Sequence, residues 1–412
     1  MKKVLACLLI VVLLCSLSIM LFSCDSKELK KLEYIDANGE VATVSIKKSE
    51  DPDQVTASIC ALANKPVDTS SINSIMASLS ASLNLAGTQN DTAWDANLNA
   101  SATIGAAIPA YVQDMTPEDF ITGLKFYAGI NATGKVPQDI MNLMDDEETV
   151  DFTKTVDLNE SANLYLDENA VYAKIAFSDN MSKLVPMLGL ILPTINNKTS
   201  KVDLLDDDFL ANLIEQKEIT KEDIAKLYES LHNANNTYIK IFEGFDEKEE
   251  EVVDGTDETE VTEETNDFEF NYANVKKLVE AFNIKVTKTK GSVATFSASI
   301  DKNTMKKLNE LFPPEEGEEP TFDEDFKGSF SVELSIDAKT MLDVSLSVSS
   351  SSIGEFISDP DNGLIVSSGS FTVTASISTA ALPTISQEDK DAAKESPMLT
   401  MAVKGIIGKI LG

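Results

Sequence analysis

Few side chains in this sequence can do chemistry by type. His232 is the one histidine, the cysteines are Cys7, Cys15, Cys24 and Cys60, and all 34 cations are lysine. Without arginine there is no planar fork for phosphate or carboxylate, and no arginine finger. One imidazole leaves little for a histidine general base or a zinc site. His232 is expected in the last turn of a helix, near Asn233 and Asn235, where a structural role at the negative helix end suffices. Carboxylates are abundant, but they fall in runs that read as solvated surface and not as a positioned acid and base. No HExxH, nucleophile elbow or phosphate loop is present. The expectation is a chain that is not an enzyme, with no cofactor and no metal site. The 34 cations against 68 acids give −34, which argues against nucleic acid as a partner and against docking to anionic lipid through the protein surface.

Cys24 stands apart because of what precedes it. Met1-Lys2-Lys3 is a short basic start, Val4 to Phe22 is apolar, and Leu21-Phe22-Ser23-Cys24 leads at once into Asp25, Ser26, Lys27 and Glu28. These are the n-region, h-region and small-residue cleavage site of an export signal. The junction resembles the lipobox of bacterial lipoproteins, with Leu21 and Ser23 matching it and Phe22 departing from its usual small or β-branched residue. The resemblance implies a signal peptide at 1–23, cut before Cys24, whose thiol then carries a diacylglycerol anchor. It also implies an acylated (palmitate-bearing), extracytoplasmic protein that meets the cell membrane through that anchor. Two alternatives stay open: the nineteen residues from Val4 to Phe22 are within the roughly 17–25 that can span a bilayer uncleaved, and ordinary cleavage would release a free protein. A chain beginning at Cys24 has only Cys60 besides, so no internal disulfide forms, and Cys60 is expected in the core.

The remainder must position whatever surface this anchor presents. Leu32, Tyr34 and Val41 to Ile46 flank Asp36-Ala37-Asn38-Gly39, a hairpin turn and not a calcium loop, since an EF-hand needs more ligands and a glutamate at its twelfth position. From Gln54 to Leu85 the pattern reads as helix broken at Pro66, with Ile72, Ile75, Met76, Leu79 and Leu83 three and four apart on one face. Alternation then predicts strands at 94–100, 124–132, 164–166, 171–177, 296–300, 330–336, 342–348 and 371–377, apolar on one side, with Lys, Tyr, Gly and Asn between in 124–132 and mostly Ser, Thr, Glu or Asp in the later strands. Helices are expected at 203–217, from an N-cap at Thr220 with Asp223 behind it, at 275–282 and at 304–311. Fourteen of the twenty-seven residues from Glu243 to Glu269 are acidic, which predicts a solvated, disordered insertion; it lacks the carboxylate spacing of a calcium site. Glu315 to Asp325 is a smaller loop of the same kind, and Asp359 to Gly363 a turn cluster.

Together these give an α+β fold: a large curved antiparallel sheet, a half-barrel, packed against several helices. Its parts are an anchor and hairpin at 24–53, one curved-sheet domain at 54–395 and an apolar C-terminal helix at 396–412. The organisation is similar to that of the LolA/LprG-type carrier lipoproteins, which implies an open sheet with an apolar face able to take acyl chains. That family has no catalytic motif, so Cys24 is the one site residue expected. An apolar sheet face has to be covered by helices, by its own strands or by a ligand. Two functions follow: a lipoprotein that binds a lipid or other amphiphile, or a structural envelope lipoprotein with a filled core and no ligand.

Overall fold

The computed structural model describes residues 29–65, 72–140, 150–167, 170–185, 196–203, 220–232, 271–312, 322, 328–360, 363–397 and 399–400. Cys24 and the export signal, most of the helix expected at 203–217, the insertion 243–269, nearly all of the acidic loop and residues 401–412 lie outside them. In chain order the elements are β1 (Leu32–Ile35), β2 (Val41–Val44), α1 (Pro52–Ala63), β3 (Ser74–Gln89), β4 (Thr92–Ala107), α2 (Pro117–Gly123), β5 (Lys125–Pro137), β6 (Thr155–Asp167), β7 (Ala170–Ala176), α3 (Met181–Leu184) and β8 (Lys198–Asp203). There follow α4 (Lys221–His232), α5 (Tyr272–Ala281), β9 (Lys285–Lys290), β10 (Val293–Ile300), α6 (Lys302–Leu311), β11 (Phe330–Asp337), β12 (Val344–Ser350), α7 (Gly354–Ile357), β13 (Leu364–Ser378), α8 (Gln387–Ala392) and β14 (Lys394–Glu395). The protein is α+β, with one large, open, mostly antiparallel sheet in the order β14-β8-β7-β6-β5-β4-β3-β13-β12-β11-β10-β9. Its chain divides into two compact units, 1–68 with 234–327 and 332–342, and 69–233 with 328–331 and 343–412.

In the first unit the β1–β2 hairpin turns where the sequence places it. The Asp36 carboxylate accepts from the N–H groups of Asn38 (2.8 Å) and Glu40 (3.0 Å), and Gly39 takes φ +77°. One carboxylate oxygen thus holds both N–H groups and closes the turn. Helix α1 starts at Pro52 behind an N-cap Asp51 that accepts from Asp53 N–H (3.2 Å), and it buries Val55, Cys60, Ala61 and Leu62 against α5. Burial pushes the Cys60 thiol up to about 11, so it is an unreactive core residue, as expected. Capped by Asn271, α5 buries Val275, Leu278 and Val279.

In the second unit the structure corrects one expectation. Residues 74–85 are not helical: β3 and β4 are sixteen-residue strands paired from Ser74↔Ala107 to Gln89↔Thr92, and β13 pairs along the other edge of β3. The three-and-four spacing of Ile75, Met76, Leu79 and Leu83 coexists with alternation of Ile75, Ala77, Leu79, Ala81, Leu83 and Leu85 with Met76, Ser78, Ser80, Ser82 and Asn84. Ladders on both sides decide between the two periods. Elsewhere alternation finds its strands, and β6–β7 is the second hairpin. Helices α2 and α4 pack through Met115, Phe120, Ile224 and Tyr228, and the Tyr228 hydroxyl donates to the carbonyl of Pro109. Thr220 and Asp223 form the expected N-terminal cap of α4, the threonine hydroxyl accepting from Asp223 N–H at 3.2 Å while the carboxylate accepts from Thr220 N–H at 3.1 Å.

Candidate functional site

Residues directly opposite in an antiparallel ladder share a face. The register of the second unit therefore lines up two long rows. One runs Val344, Ile377, Ala77, Ile104, Ala128, Leu164, Ala173, and the next runs Leu346, Ala375, Leu79, Ala102, Ile130, Ala162, Ile175. All fourteen are apolar. The opposite face carries Ser376, Ser78, Thr103, Gly129, Asn163, Lys174 and Thr199 in a single row, with Ser78 and Thr103 hydroxyls 3.0 Å apart.

The polar face is the one with a cover. The segment after β13 starts with Ser74 donating to the carbonyls of Thr379 and Ala380, and Leu382 then stands against Gly105 on that face. Ile385 packs on Ala170, Tyr172 and Tyr165, and Ser386 caps α8. Asp389 accepts from Lys174 at 2.7 Å, Lys390 reaches Asp167 at 2.8 Å, and β14 adds to β8 in parallel. Apart from the β14 edge pairing, the contacts of this strap with Ser74, Gly105, Tyr165, Asp167, Tyr172 and Lys174 fall on the serine-and-tyrosine face.

The apolar face is left open at its centre. Leu79, Ile104 and Ile130 are 52%, 53% and 55% exposed, with Ile75 at 45% and Ala77, Ala81, Ala102 and Ala375 exposed between them. Isolated exposed hydrophobics are ordinary on a soluble surface, but a contiguous apolar field marks an interaction site. The charged side chain that enters this face on β6, Glu160, is buried, with its oxygens taken by Ser178 N–H (2.8 Å), the Ser178 hydroxyl and Asn159 N–H (3.2 Å).

At the turn end of the β3–β4 hairpin the same face closes over. Trp94, Leu85, Ala96, Val150, Phe152 and Leu364 form a buried cluster, with Leu83, Ile353, Ile357 and Val366 against it. The Gln89 amide pins the adjoining loop, donating to Val150 C=O (2.9 Å) and accepting from Phe152 N–H (2.8 Å). Trp94 and Phe152 rings stand 4.6 Å apart. Trp94 is 6% exposed, and its Nε1–H has no hydrogen-bond partner.

The strap depends on one nearly buried charge cluster. Asp167 (side chain 10% exposed) lies 2.8 Å from Lys390 Nζ and 3.0 Å from Lys125 Nζ. Burial alone would raise its pKa, but the hydrogen bonds of Lys390 and Lys125 outweigh that and hold it below the usual carboxylate value. A depressed folded pKa contributes stability that is full above the unfolded value near ~3.9 and is lost as pH falls through the folded one. Asp167→Asn is expected to cost about 2–4 kcal/mol at neutral pH by leaving buried lysine uncompensated. The gap to wild type should shrink steadily below pH ~4, as the wild-type carboxylate protonates. Urea unfolding at neutral and acid pH checks this; an equal gap at both would remove the charge as its source.

The first unit offers a second concavity, a cleft of about 410 Å³ lined by Tyr34, Asp53, Tyr272, Lys276, Lys277 and Glu280 among others. Tyr34 and Tyr272 stack at 5.9 Å, and Lys276 Nζ lies 2.6 Å from Asp53. Burial, then the Asp53 charge, drives the Tyr272 hydroxyl far above its ordinary range, so it does not serve as a base at neutral pH; the Lys276 hydrogen bond lowers Asp53. Opposite charges already satisfy one another here, and the cleft reads as the seam where the hairpin meets α5.

Of the residues singled out by sequence, Cys24 lies outside the described residues and His232 ends α4. Among the described residues no group of three or more His, Cys, Asp or Glu is gathered as a metal site. The open apolar face was foreshadowed by alternation; the solitary indole N–H of Trp94 and the choice of the polar face for the strap carry no sequence signal. Comparison with protein-family models and with curated proteins returns no match.

Proposed function

We propose that this chain is an extracytoplasmic lipoprotein, tethered to the cell membrane through Cys24, that carries out no catalysis and holds the acyl chain of an amphiphile on the apolar face of β3, β4, β5 and β13. The observation that supports it is the half-exposed trio Leu79, Ile104 and Ile130 set among exposed alanines. Hydrocarbon is the occupant this surface suits. These strands are central, with backbone donors and acceptors spent in ladders on both sides, so an extended peptide would find no partner for its own amides. A chain of methylenes has none to satisfy, and covering the trio removes apolar surface from water.

Native mass spectrometry of the delipidated full chain, exposed to a membrane lipid extract in detergent micelles, tests this. A bound acyl species is expected; its absence from the spectrum sinks the proposal. Cys24→Ala should abolish labelling by radioactive palmitate and release the chain from the membrane fraction.

The alternative, a structural envelope lipoprotein without ligand, is favoured by one contact. Ser396 N–H donates to Lys201 C=O at 3.3 Å, which ties the end of the strap to β8. In that reading the core is filled without a ligand, and native mass spectrometry of the chain exposed to lipid extract finds no acyl species.

A further inference from the structure

We infer that a lysine patch on the first unit seats this chain on the anionic phospholipid headgroups of the bilayer that holds its anchor. The inference rests on the proposed tether at Cys24 and is independent of the acyl site. The net charge of −34, which as a sum disfavours anionic lipid, belongs to the whole chain, and the lysines are not spread evenly through it. Residues 271–312 carry eight lysines against Glu280, Asp301 and Glu310. The fold then gathers lysines from distant stretches of sequence. Ser49 and Val286 exchange N–H to carbonyl bonds of 3.0 and 2.9 Å, and Lys47, Lys48 and Lys288 fall within two residues of that bridge. Lys31 adjoins the same run, since Ile46 N–H donates to Leu29 C=O at 2.7 Å and Lys31 N–H to the Ser45 hydroxyl at 3.3 Å. Lys290 ends β9 at the turn to β10. There Ala338 N–H donates to Ser292 C=O at 2.8 Å, which brings Lys339 close to that turn.

All six of these lysines are exposed, and among the described residues none of them is in an ion pair. Of the carboxylates close by, Glu50 is spent on Lys285 at 3.2 Å, Asp53 on Lys276 at 2.6 Å, and Asp337 accepts the Lys339 N–H at 2.8 Å. Unpaired ammonium groups gathered in such number attract a polyanionic surface. Lysine on an edge strand also discourages strand addition, which accounts for Lys288 and Lys290 on β9. Lys31, Lys47, Lys48 and Lys339 lie outside the strands, so that role does not account for them.

The chain itself says which surface is within reach. Leu29 follows Cys24 by five residues, so at most about 18 Å of extended backbone joins a lipidated Cys24 to the start of this run. Attraction of a lysine to an anionic leaflet fades over a Debye length, about 8 Å at physiological salt. A leash this short lets the patch come down onto the headgroups and keeps it from ranging far.

The test reconstitutes the acylated chain in vesicles of phosphatidylcholine, or of phosphatidylcholine and phosphatidylglycerol in equal parts. Amine acetylation is then read lysine by lysine by mass spectrometry at physiological salt. The six lysines are expected to react at least about threefold more slowly on the anionic vesicles than on the neutral ones. Lys154 of the second unit, with its side chain 73% exposed, should change little. Protection of the six should vanish at ~1 M salt, where the Debye length is ~3 Å. Changing Lys47, Lys48, Lys288 and Lys290 together to glutamine should return Lys31 and Lys339 to their neutral-vesicle rates. All four are exposed, so the thermal midpoint should not move. Equal rates on the two kinds of vesicle, with the chain anchored to both, overturn the patch and leave the tether standing. Equal slowing of Lys154 and the six means crowding at the surface, and overturns the patch too. A chain recovered without an acyl group on Cys24, floating with neither vesicle, overturns the tether and this inference with it.

Discussion

Changing Leu79, Ile104 and Ile130 together to threonine is expected to weaken methyl stearate binding at least about a hundredfold while moving the urea midpoint little. The three lie on adjacent central strands and are already half in water. Each gives up a further part of its surface when hydrocarbon covers it, worth about 1–1.5 kcal/mol apiece given that full burial of such side chains is worth ~1.5–3. Threonine is β-branched, a shape that strands favour, so the sheet itself is not penalised. Exposed substitutions of this kind usually change stability by only ~0.5 kcal/mol each. Binding and unfolding thus separate. A loss of several kcal/mol in stability with ester affinity intact would mean that these side chains are packed under another element, and the acyl site would have to be abandoned.

Gly134→Ala should be among the most damaging single substitutions in the second unit, costing about 3 kcal/mol or more. Gly134 sits within β5 between Leu98 and Leu158 and takes φ +147°, a conformation that L side chains rarely adopt. A methyl there would also fall 2.2 Å from the Asn97 carbonyl oxygen and 2.9 Å from Leu98 Cα. These are backbone atoms of the neighbouring strand, so β4 and β5 would have to part. Gly363→Ala is the control. Its φ of +71° is likewise left-handed, but the nearest obstacle is the end of the Asn90 side chain, which can swing aside. Trp94 is the only tryptophan, so its emission during urea unfolding reports this unit without interference. Gly134→Ala should lose at least twice what Gly363→Ala loses; similar losses would mean that close approach of the strands is not what keeps glycine at 134.

How much of this was written in the sequence depends on how local each determinant is. The β1–β2 turn is encoded by Asp36, Asn38 and Gly39 alone, and the start of α4 by Thr220 and Asp223, so both could be read directly. Strands β10, β11, β12 and β13 show themselves because apolar residues alternate mostly with serine, threonine and acidic residues, and β5, β6 and β7 because they alternate mostly with asparagine, aspartate, lysine, glycine or tyrosine. Strand β3 misleads because its alternation relies on Ala77 and Ala81, which weigh little, while Ile75, Met76, Leu79 and Leu83 fit a helical face better. Only pairing with β4 and with β13, some three hundred residues away in sequence, settles the matter. The two-faced sheet was legible as well, but its cover was not. A handful of contacts by Leu382, Ile385 and Asp389 direct the strap across the tyrosine-bearing side, and no periodicity encodes that choice. The indole N–H of Trp94 is lonely only because of five neighbours drawn from four separate stretches of chain.

A bare strand at the rim of a sheet invites copies of the same chain to polymerise. β8 would be such a rim. Two residues of β14 dock along it, Lys394 opposite Ser200 and Glu395 opposite Lys201, and lysines stand at 198 and 201 of the strand itself. A short guard and the strand's own lysines keep copies of this chain from pairing edge to edge and knitting into fibrils.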